Sequence, residues 1–391
     1  MKNKFLRFTL ATLVLTSSFQ LLPNVYAEVS SDCLTTTESQ VDHDLPPLDA
    51  KALTETISQL PDEENIAAQI LVSGKAGGWQ CEKGIANLDS QTPVKKNDRF
   101  RIGSITKVFT TTMVLQLVAE HKINLNQSVQ HYLPNLLPLN YPKITVGQLL
   151  NHTSGLPSPN LPNDFQWQYE HRLDQWTPTQ IVKLATKNPM EFQPGKKQNY
   201  KNINTIIAAM IMEKVTGKTY AQQLEIRILK PLGLYNTYVP GNDLNIRGSH
   251  THGYQEVINT DGTKSLIDVT TWNQSLTWAA GDMISTMEDL NRFLTALFQG
   301  KLLPQKQLNL MFDVPNVKDL NGNPAVYSMG LAKAKINGRI LWGKSGARPG
   351  YLNGFVVTQD FKRLTIYSLN NIHAKDDQQP KLFGKFIPLL Y

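Results

Sequence analysis

Long apolar runs are missing from almost all of this chain of 391 residues. Past residue 27 no stretch approaches about 18 uninterrupted apolar residues, so no later segment is expected to span a bilayer as a helix. Cysteine is scarce, with only Cys33 and Cys81 present. There is no H-E-x-x-H and no Cys/His grouping, so no metal site is expected, and no other cofactor either. No Pro- or Ser-rich linker divides the chain, and no internal repeat is visible. Nor does charge of one sign dominate. The formal net charge is +7, and the excess is spread along the sequence. That is no nucleic-acid footprint, although it suits an enzyme working near an anionic envelope.

The one apolar run that does occur lies at the start. Lys2, Lys4 and Arg7 precede a short stretch around LATLVL, and Val25-Tyr26-Ala27 offers a small-residue cleavage site. This reads as a secretory signal peptide over residues 1–27, with a retained anchor as the alternative. No Cys follows closely enough to suggest a lipoprotein. The segment carries three basic and no acidic residues, so its removal from a chain of +7 leaves +4. The expected location is periplasmic or secreted. An exported chain with an even cysteine count permits a disulfide. Closing a loop of about fifty residues would add about 4 kcal/mol in the chain-entropy model. Cys33 lies in the polar stretch SSDCLTTTESQVDHD, which reads as a mobile tail, so the pairing of Cys33 with Cys81 stays open.

What the chain does contain is Ser104-Ile105-Thr106-Lys107, in the run FRIGSITKVFTTTMVLQLV. On a helix, Ser and a Lys three positions on share a face, one turn apart. A hydroxyl is a weak nucleophile until a neighbouring base takes its proton. Lysine can be that base if burial lowers its pKa from about 10.4 towards about 7. A helix start adds unpaired N–H groups that stabilise an anion. No other Ser in the chain has a Lys three residues later.

Two further motifs follow in order: Tyr200-Lys201-Asn202, in FQPGKKQNYKNINTIIAAMIMEKVTGK, and Lys344-Ser345-Gly346, in ILWGKSGARPGY. The series S-x-x-K, Y-x-N, K-[ST]-G resembles the serine penicillin-recognising enzymes. The flanks FRIGSITKVFT, LLNHTSGLP, FQPG and NYKN, EKVTGKTYAQQLEIRILKPLGL, AAGDMISTMEDL and WGKSGARPGY narrow this. They look like the family of class C β-lactamases and soluble D-alanyl-D-alanine carboxypeptidases, which also contains esterases. The resemblance covers roughly residues 50–370. It implies that Ser104 attacks a carbonyl and becomes acylated. Lys107 would be the base, or would share the proton with Tyr200. Tyr200, held near its phenolate by Lys107 and Lys344, would pass protons to the leaving group and later activate water. Asn202 would hold a substrate amide, and Lys344 would pair with Tyr200 and a substrate carboxylate. The backbone N–H groups of Ser104 and Ala347 would form the oxyanion hole, with Ser345 and Gly346 beside the substrate. Arg348 is a further candidate for the same carboxylate. Many carboxypeptidase-type relatives have His where this chain has Lys344, so that position does not separate peptidase, lactamase and esterase.

Other readings compete at single residues. Ser104 could simply cap a helix. Tyr351-Leu352-Asn353 is a second Y-x-N match, but it lies in a strand-like run and reads as structural. His152, in LLNHTSGLP, sits at a helix end and reads as packing or capping rather than as a base. Gly338 to Ser345 satisfies the Walker A spacing, yet its middle reads as a strand, and Gly-Ala-Arg-Pro-Gly after it cannot continue a helix.

Strand-like runs lie at both ends: Ala67 to Val72 and Gly78 to Asn87, then YSMGLAKA, GRILWGKS, YLNGFVVTQ and LTIYSLNN. Helical patterns fill the middle, including Val146 to His152, Ile203 to Thr216 and Gln222 to Lys230. A later helix is expected near Met287 to Phe298, with Ser285 and Glu288 as its capping box. The expected fold is α+β: one antiparallel sheet built from both termini and flanked by helices, with an inserted mainly helical subdomain. The expected division is a tail at 28–48 and a catalytic domain at 49–391. Within that domain the α/β part is about 49–105 and 282–391, and the helical part about 106–281. The expected activity is that of an exported, monomeric serine-type D-alanyl-D-alanine carboxypeptidase acting on peptidoglycan stem peptides. A β-lactamase and a carboxylesterase are the rivals within the enzyme class. A non-catalytic penicillin- or peptidoglycan-binding module is the rival of another class, and it would have no need of Lys107 and Tyr200 together.

Overall fold

Strand-forming segments from both ends of the chain build one sheet, its two central strands buried on both faces. The computed structural model describes residues 33–36, 45–162, 164–374 and 380–391. The segment read as a signal peptide and most of the polar tail lie outside the described residues. The sheet strands are β1 (Leu34–Thr36), β2 (Asn65–Ser73), β3 (Gly78–Asn87), β4 (Ala332–Ile336), β5 (Arg339–Arg348), β6 (Tyr351–Val357) and β7 (Leu364–Asn371). Their order is β1-β3-β2-β7-β6-β5-β4, antiparallel throughout, and Thr92–Pro93 pairs with β3 off this path. The β2–β7 ladder joins the two ends of the chain at the sheet centre.

Period-two alternation assigns the faces. Ile70 pairs with Tyr367 and both enter one core, whereas Leu71 pairs with Ile366 and both enter the other. The first core is covered by Leu53 and Ile57 of α1 (Ala50–Ile57) and by the C-terminal helix Lys381–Phe386 through Leu382 and Phe386. The second contains α2 (Thr106–Ala119), α3 (Asn202–Thr216) and α4 (Met287–Phe298). Among the described residues no helix is long and apolar enough to cross a membrane.

Three local expectations change. Part of the polar tail is an edge strand: β1 pairs with Gly78 to Gln80, and Cys33 is bonded to Cys81 with Cα atoms 4.6 Å apart. An open sheet edge pairs backbone with backbone, so a polar sequence is no obstacle. The cap of α4 lies one residue further on than expected, because Thr286 Oγ1 accepts the Asp289 N–H at 3.3 Å. Ser285 is held extended opposite Phe100, and its hydroxyl bonds to Thr237. The middle section also carries a β-hairpin, Tyr254–Ile258 with Lys264–Asp268.

Candidate active site

The site forms where the start of α2 meets the outer half of β5. A single turn of tighter helix, Gly103–Ile105, precedes α2. α2 is buried almost all round, with Lys107 only 1% exposed, while Ser104 stays partly open. The pairing of β5 with β4 stops at Gly343, so Lys344 to Arg348 turn their other edge towards the Ser104 turn. Two glycines permit the approach. A Cβ on Gly346 would lie 2.9 Å from Ser104 N, and one on Gly103, whose φ is +52°, would lie 2.8 Å from Ala347 N. The backbone nitrogens of Ser104 and Ala347 are thereby brought to neighbouring positions. Asn353 fixes both sides of this junction, since its Nδ2 donates to Arg101 O at 2.7 Å and to Gly346 O at 3.3 Å. The second Y-x-N match thus has a positioning part that its sequence reading did not contain.

Lys107 Nζ contacts three oxygens: Asn202 Oδ1 at 2.7 Å, Ala280 O at 2.7 Å and Ser104 Oγ at 3.1 Å. Two of these acceptors are carbonyl oxygens and the third is the Ser104 hydroxyl, so the Lys107 amine is held within proton-transfer reach of the nucleophile. The motif AAGDMISTMEDL enters here through a backbone carbonyl, and Thr110 Oγ1 donates to the adjacent Ala279 O at 2.7 Å.

Tyr200 precedes α3, and its ring packs against both His152 and Tyr327, at centroid distances of 4.6 and 5.0 Å, with those two rings 5.6 Å from each other. Lys107 Nζ and Lys344 Nζ lie 4.8 and 4.7 Å from the same ring centroid. The LLNHTSGLP flank makes this possible by zipping onto FQPGKKQN. Gly195 N donates to Thr153 O and Asn199 N to His152 O, and a Cβ on Gly155 would collide with Phe192 O. His152 Nδ1 is within 3.1 Å of Asn204 Nδ2, so it serves as an acceptor. Burial first, then Lys107 and Lys344, push its pKa well below 6.5 and keep the ring neutral. Gln198 anchors the Tyr327 loop by accepting from the Val326 and Tyr327 N–H groups.

The Tyr200 hydroxyl is enclosed beside Ser104, and burial pushes its pKa above the ordinary phenol value, the opposite direction to the phenolate-like state expected of it. The lysines approach the ring rather than forming a bond to the oxygen. Burial lowers Lys344 to about 7 while its Nζ donates to Ser345 O at 2.7 Å. Lys344, Gly346 and Arg348 share one face of β5. Ser345 is exposed and Ala347 partly so. Among the described residues no group of three or more His, Cys, Asp or Glu is placed to hold a metal ion.

A sheet of this topology with a Ser–Lys pair, a buried Tyr and a Lys-bearing edge strand defines a serine hydrolase of the penicillin-recognising fold. The Beta-lactamase family model matches residues 53–379, and the chain belongs to that family. A solved D-stereospecific amidohydrolase from Streptomyces sp. is 35% identical with a TM-score of 0.75, over 87% of this chain and 99% of that one. The teichoic acid D-alanine hydrolase of Staphylococcus aureus is 32% identical over 240 residues, 61% of this chain and 54% of that protein. Penicillin-binding protein 4* of Bacillus subtilis is 26% identical over 306 residues, 76% of this chain and 66% of that protein. The matches thus span about half to two thirds of these two curated relatives' own length.

Proposed function

We propose that this serine hydrolase is exported and cleaves the bond on the carbonyl side of a D-amino acid, by way of an acyl-enzyme at Ser104. The substrate class is the D-alanyl-D-alanine end of a peptidoglycan stem peptide. The observation that carries the proposal is the Lys107 amine, 3.1 Å from Ser104 Oγ and steadied by the Asn202 and Ala280 carbonyl oxygens. The relatives supply the substrate side, because a D-stereospecific amidohydrolase and a D-alanine hydrolase both handle D-configured groups by name.

In the proposed reaction Lys107 takes the Ser104 proton as Oγ bonds to the carbonyl carbon. The oxyanion is met by the Ser104 and Ala347 N–H groups, a type of donor whose single loss typically costs about 3–4 kcal/mol. Asn202 uses its carbonyl end on Lys107, which leaves its NH2 end for a substrate carbonyl. As the C–N bond breaks, Tyr200 delivers a proton to the departing amine and is recharged from Lys107. Water then releases the acid and restores Ser104. Lys344 meets the carboxylate of the leaving D-alanine, and the enzyme works as a monomer in the periplasm or outside the cell.

The test is a comparison of kcat/KM for a D-Ala-D-Ala peptide, a D-amino acid amide, a chromogenic cephalosporin and a 4-nitrophenyl ester. D-alanine release is expected, with a long-lived penicilloyl adduct in place of rapid penicillin turnover. A preference for the amide over the peptide would shift the substrate to a single D-aminoacyl group, as the 35% identity to the amidohydrolase favours.

Lys344 gives a pH test. With a pKa lowered to about 7, it is charged below that pH and neutral above it. The kcat/KM for a carboxylate-ended peptide is therefore expected to fall as pH rises through about 7, a limb that a neutral ester lacks. Lys344→Ala should erase that limb and lower kcat/KM for the peptide at least about a hundredfold, about 2.7 kcal/mol. An effect within about threefold would remove Lys344 from the carboxylate.

A further inference from the structure

Arg348 is 7% exposed, yet its guanidinium forms no hydrogen bond or ion pair among the described residues, and its Nε is wholly enclosed without an acceptor. A buried charge left unpaired is costly, so the position is one where an absent anion would be stabilising. Its surroundings match that need. The guanidinium carbon lies 6.0 Å from the Trp272 ring centroid, at the edge of cation–π range. Arg101 adds a second buried guanidinium of the same sign, whose bonds go to Leu244 O and Thr270 O. Among the described residues the acidic group acting on Arg348 is Asp282, which burial holds up to about 7, so it offsets the two cations only in part.

The position along β5 says which end of a substrate would meet this charge. Gly346 and Ala347 lie against the Ser104 turn, with Lys344 on one side of that contact and Arg348 on the other. The two side chains start about 13 Å apart at about 3.3 Å per residue, so a carboxylate beside Lys344 is out of easy reach of Arg348. On the reading given above, the leaving group faces Tyr200 and Lys344, and the acyl donor therefore runs towards Arg348. We propose that Arg348, backed by Asp282 and faced by Trp272, is an anion subsite for the acyl side of the substrate, selecting donors with a carboxylate upstream of the scissile bond. Trp272 is itself steadied by the helix Phe165–Glu170, with the Phe165 and Tyr169 rings 6.5 and 6.4 Å from it.

The test uses the intact protein and two activated esters of equal chain length, 4-nitrophenyl hydrogen glutarate and 4-nitrophenyl pentanoate. The wild type should prefer the glutarate by about tenfold or more in kcat/KM, the size expected of a charge-assisted hydrogen bond. Arg348→Gln should bring the ratio to about one, and Arg348→Lys should keep part of it. A wild-type ratio at or below one, or a ratio that Arg348→Gln leaves unchanged, would overturn the subsite. The wild-type ratio decides alone if the variants do not fold. D-alanine release from a D-Ala-D-Ala peptide is scored in parallel. Carboxylate preference without release would fault the D-alanyl reading and keep the subsite, and release without preference would do the reverse.

Discussion

Replacing Ser104 by alanine is expected to lower kcat/KM at least about 10⁴-fold and to abolish covalent labelling by a fluorescent penicillin. Losses of this size follow removal of a nucleophile that acts together with its base. The structural reason is local. Ser104 is the hydroxyl that faces the Lys107 amine, and its own N–H lies beside that of Ala347. Binding and the oxyanion donors remain in the variant, so some rate above water should survive. The side chain is small and partly open, and folding should be untouched, with a thermal midpoint close to that of the wild type. Labelling that persists on folded Ser104→Ala protein would move the nucleophile elsewhere.

Lys107→Met should cost about 10³-fold in the acylation rate, within the range general-base catalysis supplies. Methionine fills a similar volume and removes the amine. It also strands Ala280 O and Asn202 Oδ1, two acceptors at 2.7 Å. Each unsatisfied buried group costs about 1–3 kcal/mol, so a lower thermal midpoint is expected as well. Rapid-mixing measurement of acylation on protein shown to be folded by circular dichroism separates the two effects. A loss below about tenfold would hand the base role to Tyr200. That outcome is disfavoured by the burial that raises the phenol's pKa.

The motifs were legible because they are short and their spacing is set by one element each. Ser104 and Lys107 need only the start of α2, and Lys344 needs only β5. The strand-like runs of β2, β3, β6 and β7 likewise announced a sheet drawn from both ends of the chain. What stayed hidden depends on contacts between distant segments. The Ala280 carbonyl that holds Lys107 is a backbone atom, which no residue type advertises. Tyr327, whose ring packs at a tilt against Tyr200, lies in a loop placed by Gln198. Asn353 looked structural, and its side chain joins Arg101 to Gly346 across the candidate oxyanion site. The edge strand Leu34–Thr36 was hidden for a different reason, since it pairs through backbone and carries no apolar pattern. The burial that raises the Tyr200 pKa depends on everything that surrounds the ring, which no single motif encodes.

The most direct measurement is mass spectrometry of the protein during turnover of an N-acylated D-Ala-D-Ala peptide, followed by peptide mapping. The account predicts an adduct equal to the donor acyl group on the peptide that contains Ser104, formed as D-alanine appears and absent from Ser104→Ala. Hydrolysis with no adduct on that peptide, or an adduct on another residue, would contradict it.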